Sequence, residues 1–338
     1  MADIHAYQRP GEIRITRSDV GRRVMVRKIL EIVDNRPTFA DTLGVLTSWD
    51  DGVLTVVRRD GEAVGIAERL LVAGKPVPPA PARRSPAPEA DPVELQRIAA
   101  RGWPAVETAA LGDWTLRAAG GFTRRANSVQ ALGDPGLPLP AALDAVRDWY
   151  RARGLAALVE VTEPGSPAGL REDPDLLGTD EAPSRFCTAP LAPLARLAAR
   201  ADLVRLARTA SPGWMARYPH RTDGGPAAKQ AARAVLHGGP SVWFAAVPAP
   251  DGHGPAAIGR CVVDGAWAGF SAVEVEPEHR GRGLAGQVIA VLAARAAEEG
   301  ATGGYLQVES DNSAAAALYD TLGFTTSHTY HYRRLPQG

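Results

Sequence analysis

One stretch constrains the fold of this chain more than any other: Val273-Glu274-Val275-Glu276-Pro277-Glu278-His279-Arg280-Gly281-Arg282-Gly283-Leu284-Ala285-Gly286. An apolar strand runs into a proline, which cannot extend a hydrogen-bonded ladder. A glycine-rich turn follows and opens directly into an apolar-periodic helix. Glycines let backbone approach a bulky group, and the first turn of a helix has N–H groups with no partner of their own. Arg280 and Arg282 add positive charge. The combination predicts a cradle for a pyrophosphate. It is not a Walker A loop, because no Gly-Lys-Ser/Thr follows. Nor is it a dinucleotide fingerprint, because the spacing is R-x-x-G-x-A rather than G-x-G-x-x-G.

The elements around the cradle are legible. Residues 241–247, 257–264 and 267–275 read as successive strands joined by turns at Asp251-Gly252-His253-Gly254 and Asp264-Gly265. A helix is predicted over 283–299, with Leu284, Val288, Ile289, Leu292 and Ala296 on one face and Gly300 as its stop. A strand over 305–309, a helix over 313–322 ended by Gly323, and a strand near 329–334 complete the chain.

A second motif lies about thirty residues beyond the cradle: Val308-Glu309-Ser310-Asp311-Asn312, then Ala315, Leu318-Tyr319 and Leu322-Gly323-Phe324. The pair V-x-P-x-x-R-G-x-G-x-A and V-x-x-x-N-x-x-A-x-x-L-Y-x-x-L-G-F, in this order and on these elements, resembles the GNAT acyltransferases over about residues 200–338. The resemblance implies a central mixed sheet in which the strand before the cradle and the strand after the helix splay apart, with acetyl-CoA in the gap. It implies that the backbone of Val273 and Val275 pairs with the pantetheine arm. Arg280, Gly281, Arg282, Gly283, Leu284, Ala285 and Gly286 would hold the pyrophosphate, Asn312 would bond the CoA arm, and Tyr319 would protonate the leaving thiolate. From the residues alone, Asn312 also reads as a helix cap and Tyr319 as a packed aromatic. The implied reaction is attack of a primary amine on the thioester, with an N–H donor for the oxyanion and an acid for the thiolate.

The base departs from the family pattern. A Glu is common nine residues before the cradle arginine or twelve before the tyrosine; here Ser271 and Gln307 stand there. Glu309, on the same strand face as Gln307, is the candidate base, directly or through water, against a solvated or capping charge. Glu274 is a weaker candidate, and His220 and His237 read as surface residues. Trp214 and Tyr218 read either as walls of an acceptor pocket or as aromatic core.

The rest of the chain falls into three parts. Residues 1–75 alternate at Ile13/Ile15, Val24/Val26, Leu43/Val45, Val53/Val56–Val57 and Val64/Ile66, with hairpin signals at Asp51-Gly52 and Asp60-Gly61. This predicts a small barrel. With 12 basic and 11 acidic residues there, the block has no basic stripe and is a poor nucleic-acid binder; it reads as an intramolecular docking or partner module. Residues 76–92 form a proline-rich linker. Residues 93–190 show strands at 114–118, 127–132 and 155–161 and a helix at 141–153, with 164–190 loop-rich. That part is expected to be a degenerate GNAT-like half, since Gly120-Gly121-Phe122-Thr123-Arg124-Arg125 opens no helix. Helical patterns at 191–209 and 227–237 begin the catalytic half, 191–338. The layout resembles a group of actinobacterial histone-type acetyltransferases with an SH3-like domain before the GNAT domain. The fold class is thus α/β (α+β).

Charge narrows the function. Lys+Arg and Asp+Glu both number 38 among 338 residues, which excludes bulk attraction to nucleic acid or an anionic membrane. No metal site is expected, and Cys187 and Cys261 read as packed thiols of a reducing cytosol. Met1-Ala2-Asp3-Ile4-His5 has no signal-peptide pattern, and the uncharged run 283–294 is too short to span a bilayer, so a cytoplasmic location is expected. The leading function is an acetyl-CoA-dependent N-acetyltransferase acting on a primary amine of a protein or a small molecule. Two alternatives stay open: a non-catalytic CoA-binding regulator, and an enzyme resembling the mycothiol synthases that acts on an amino-sugar thiol.

Overall fold

The computed structural model describes residues 12–33, 36–58, 62–77, 87–172, 180–218, 225–250, 252 and 254–336. Most of the proline-rich stretch, the Asp60-Gly61 turn, His220, Asp251 and His253 lie outside the described residues. The chain forms two compact units, one of residues 1–84 with 295–301 and one of the remainder.

In the first unit, β1 (Arg23–Val33), β2 (Arg36–Asp50), β3 (Val53–Arg58), β4 (Ala63–Ala67) and β5 (Leu71–Pro76) form an antiparallel sheet in the order β4-β3-β2-β1-β5. Val24, Val26, Leu46, Leu54, Val56, Ile66 and Leu71 alternate inward to make its core. Asp51 (φ 49°) and Gly52 (φ 72°) turn the chain between β2 and β3, as their sequence predicts. The segment around Ile13 makes a single bridge to Gly74 rather than a strand. The fifth strand is instead Leu71–Pro76, whose run of like residues hides its period. The hydrogen-bonded order ends at β4 and β5 and does not show the ladder closing into a barrel.

The second unit contains α1 (Pro92–Gly102), β6 (Glu107–Leu111), β7 (Trp114–Ala118), β8 (Val129–Gln130), α2 (Leu139–Arg151), β9 (Leu158–Glu163), α3 (Ala168–Glu172) and β10 (Asp180–Pro190). It continues with α4 (Leu191–Arg196), β11 (Arg205–Ala207), α5 (Pro212–Arg217), α6 (Pro226–His237), β12 (Ser241–Pro248), β13 (Pro255–Asp264) and β14 (Trp267–Val275). The last elements are α7 (Leu284–Glu298, of which residues 295–298 count with the first unit), β15 (Gly303–Glu309), α8 (Ser313–Thr321) and β16 (Thr325–Arg334). All eleven strands form one sheet, β11-β12-β13-β14-β15-β10-β16-β9-β8-β7-β6.

The order exposes an internal likeness. Antiparallel strands lead to a helix and then to a parallel strand twice: β7–β8–α2–β9 and β13–β14–α7–β15, with β8 parallel to β9 and β14 parallel to β15. The last strands of the two halves are exchanged. β10, from the first half, pairs with β15, and β16, from the second, pairs with β9. The 93–190 and 191–338 segments therefore share one sheet. Sequence reading makes 164–190 loop-rich, but β10 is a central strand. Pro183 and the polar Glu181, Ser184, Arg185 and Thr188 break its apolar alternation. A register shift between Glu181 and Ser184, with Ala182 at φ 48°, lets the ladder pass the proline.

Among its described residues the first half has no open cradle. The turn before α2 is closed: Asp113 N donates to Asp134 O at 2.7 Å, Asp134 N donates to Asp113 Oδ2 at 3.0 Å, and a Cβ on Gly112 would meet Pro135 at 2.3 Å.

Helices cover both faces of the second-half sheet. α7 lies over the face of Gly259, where a Cβ would meet Val288 at 2.4 Å. On the opposite face α5 and α6 cover Phe244, Ile258 and Val262. There the ring of Tyr305 fills room left by Gly269 and Gly102, whose Cβ atoms would come within 2.3 and 2.6 Å of it. Gly269→Ala is expected to cost about 1–3 kcal/mol by overpacking a ring that cannot swing aside; urea unfolding reads this, and an unchanged midpoint would show that the ring yields.

Candidate active site

The strand, glycine turn and helix of the candidate cradle have the backbone that their sequence predicts. β14 ends at Val275, a single 3₁₀ turn spans Pro277–His279, and Gly281 (φ 74°) and Gly283 (φ 73°) take the left-handed conformation that leads into α7. Added Cβ atoms on Gly281, Gly283 or Gly286 would meet nothing within 4 Å. The helix ladder starts with Gln287 N donating to Gly283 O at 3.1 Å, so the amides of Leu284, Ala285 and Gly286 precede it. Two contacts brace the turn: Arg280 Nε donates to Val275 O at 3.3 Å, and Arg217 on α5 pairs with Glu276. The geometry is an open, cationic, backbone-lined turn at a helix N-terminus, which fits a pyrophosphate.

The strands flanking α7 part where the resemblance implies. β14 and β15 pair from Trp267↔Gly303 to Phe270↔Leu306 and no further. Beyond that point β15 pairs on its other side with β10, through Gln307↔Phe186 and Glu309↔Ser184. β14 bulges at the same place: its register against β13 slips between Ile258 and Arg260, opposite Ala272 at φ 51°. Ser271, Val273 and Val275 beyond the split are all half-exposed. A gap bounded by backbone on both sides can accept an extended arm such as pantetheine.

Asn312 caps α8, its Oδ1 accepting from Ala315 N at 3.1 Å. Tyr319 is half-exposed and packs edge-on against Phe324, with ring centroids 6.0 Å apart. Burial of its phenol, with the nearby negative charge of Glu274 and the Cys187 thiol, pushes its pKa up to about 12, so it is neutral near pH 7. Glu309 is exposed, 3.6 Å from Arg124. The structure brings Gln307 and Glu309 to one face of β15 but gives Glu309 the surroundings of a surface ion pair.

Other candidates are occupied elsewhere. His237 takes a hydrogen bond from Ala210 N at Nε2 (3.1 Å) and donates from Nδ1 to Arg233 O (2.9 Å), a structural use of both ring nitrogens. Trp214 is core: it is 1% exposed, and its Nε1–H donates to Ala245 O at 3.1 Å. Cys187 and Cys261 are buried free thiols, and no group of metal-binding side chains occurs among the described residues. No helix among them is long and apolar enough to cross a membrane.

Sequence reading missed the arginines behind the gap. Arg260 is 1% exposed. Its guanidinium donates to the carbonyls of Leu236 (2.6 Å) and Gly238 (2.7 Å) and to Ser271 Oγ (3.3 Å). Arg125 Nη1 donates to Gln307 Oε1 at 2.8 Å. Both guanidiniums lie by the Trp103 ring, at 4.9 Å for Arg260 and 4.8 Å for Arg125. Thus each neutral residue standing where a carboxylate base is common accepts a hydrogen bond from an arginine. A charge inside the apolar run Ile258-Gly259-Arg260-Cys261-Val262 is the signal that could have revealed Arg260.

Known proteins resemble this chain in sequence and in fold. The uncharacterized N-acetyltransferase YobR of Bacillus subtilis is 29% identical over 247 residues, covering 71% of this chain and 97% of that protein. The probable histone acetyltransferase Rv0428c of Mycobacterium tuberculosis is 28% identical over 333 residues, 94% of this chain and 95% of that one. A GCN5-related N-acetyltransferase structure from Kribbella flavida superposes with a TM-score of 0.52 at 17% identity, over 73% of this chain and 96% of that chain, and shows the shared fold. A family model described as the C-terminal part of the probable histone acetyltransferase Rv0428c matches residues 90–333. The chain belongs to that family and is an acetyltransferase of the GNAT type.

Proposed function

We propose that the protein transfers the acetyl group of acetyl-CoA to a primary amine by direct attack within a ternary complex. The observation that carries this reading is the open glycine cradle at the N-terminus of α7, beside strands that separate after Phe270 and Leu306. When bound, acetyl-CoA supplies the activated acyl group. The amides of Leu284, Ala285 and Gly286 hold its pyrophosphate, and the edges of β14 and β15 that no longer pair with each other hold its arm. The amine nitrogen attacks the thioester carbon, a C–N bond forms and the C–S bond breaks. The nitrogen loses one proton to solvent, and the departing sulfur gains one, aided by the Tyr319 hydroxyl. The products are an N-acetyl amide and CoA.

Gln307 and Ser271 cannot take the proton, so the amine reacts from its free form, either unaided or through water near Glu309. The rate should therefore climb with pH as the acceptor amine loses its proton. It should not fall up to about pH 10, because the Tyr319 phenol, at about 12, stays protonated there. A pH–rate profile falling between pH 8 and 10 would count against Tyr319 as the donor.

The neutral residues at both base positions also favour a second reading, a CoA-binding regulator without turnover. Calorimetric titration with acetyl-CoA, followed by thiol-release assays over a panel of amines, tests both. Absence of acetyl-CoA binding rejects both; binding with no turnover of any amine leaves the regulator.

A further inference from the structure

We propose that the acceptor is a small amine that also carries a carboxylate, and that Arg125, seated beside Gln307, holds that carboxylate. The inference deepens the acetyltransferase reading and rests on it. Gln307 and Ser271 are the first side chains past the split between β14 and β15 on the face opposite α7, where an acceptor would approach the acyl carbon. Behind them stand Arg125 and Arg260. Among the described residues neither guanidinium has a carboxylate partner. The interior carboxylate in reach, Glu160, is already paired with Arg117 at 2.9 Å.

Buried cations are normally paired. Arg260 is satisfied by backbone carbonyls, so its charge is structural but uncompensated. Arg125 differs. It is half-exposed, and Gln307 takes one of its five N–H donors. Its other polar neighbours include Tyr330 and Tyr332, phenols that burial keeps neutral. A planar guanidinium with donors to spare, stacked by Trp103 and reinforced by a second cation, matches a carboxylate in its fork geometry.

The same charge bears on the missing base. An ammonium entering beside two guanidiniums is disfavoured against the free amine. The cations thus promote the reactive form of the acceptor without a proton-accepting side chain, while its carboxylate offsets their field. A small molecule carrying both an amine and a carboxylate, as an amino acid does, suits this pair of cations; a lysine in a basic polypeptide does not.

The test uses the full chain with acetyl-CoA and follows CoA release. The acceptors are glycine, β-alanine, lysine and glutamate, their primary amides, and a lysine-rich basic peptide. Carboxylate-bearing amines are expected to exceed their amides by about tenfold or more in kcat/KM. Arg125→Met should collapse that ratio toward one while leaving the calorimetric affinity for acetyl-CoA intact. Should the variant fold poorly, the wild-type ratio and Arg125→Lys, which keeps charge but loses the fork, decide the same question. Amides or the basic peptide used as well as the acids, or acids not used at all although acetyl-CoA binds, would overturn the proposal alone. Failure of acetyl-CoA to bind would overturn the acetyltransferase reading and this proposal with it.

Discussion

Gly286→Glu is expected to weaken acetyl-CoA binding by a factor of about 100 or more while leaving the melting temperature unchanged or slightly raised. Gly286 is the third residue of α7, and an added Cβ meets nothing within 4 Å. Glutamate is a better helix former than glycine by about 0.5–1 kcal/mol, and a carboxylate in the first turn gains about 0.3–1 kcal/mol from the helix dipole. The substitution therefore suits the folded chain. For the cofactor its effect is opposite. A carboxylate about 4 Å from a phosphate costs up to about 4 kcal/mol at a surface-like dielectric. Stability and binding should thus move apart, which a folding defect cannot imitate. Gly286→Ala, without the charge, should bind nearly as well as wild type. Calorimetry showing undiminished affinity in Gly286→Glu would remove the pyrophosphate from this cradle.

The cradle could be read from sequence because it is local. Within fourteen consecutive residues, a proline ends a strand, two glycines take positive φ and an apolar period starts a helix; each property belongs to the residue itself. The same holds for Asn312 as the cap of α8 and for the strands β12 to β14. The exchanged strands were not legible. β10 has a broken apolar period, and nothing within Asp180–Pro190 says that its neighbours are β15 and β16, more than a hundred residues onward. Sequence also located the departure at Ser271 and Gln307 but not its compensation. Arg125 reaches Gln307 across 182 positions, and such a contact leaves no mark on local composition. The site is therefore half local motif and half tertiary assembly. The motif lies within one stretch of chain, whereas Arg125, Arg260, Ser271 and Gln307 are brought together only by the shared sheet.

The Tyr319 hydroxyl is the group whose removal separates turnover from binding. Tyr319→Phe keeps the ring and its edge contact with Phe324, so stability should hold. Acetyl-CoA affinity should hold as well, because the cradle is untouched. Its kcat should fall by about 10²-fold, toward the low end for an acid catalyst. The reason lies in the acidities. A phenol at about 12 is a weaker acid than a thiol near ~8.5, so complete transfer to the departing sulfur is uphill. In the proposed mechanism Tyr319 would instead donate a hydrogen bond that strengthens as charge grows on sulfur, and solvent would complete the protonation. Because that donor stays protonated from pH 7 to 10, wild type and variant should keep parallel pH profiles over this range, offset by a constant factor. Steady-state assays at saturating acetyl-CoA across that range measure both features. An unchanged kcat would return Tyr319 to the aromatic packing of α8, and profiles that converge at high pH would mean that the phenol ionises earlier than its surroundings dictate.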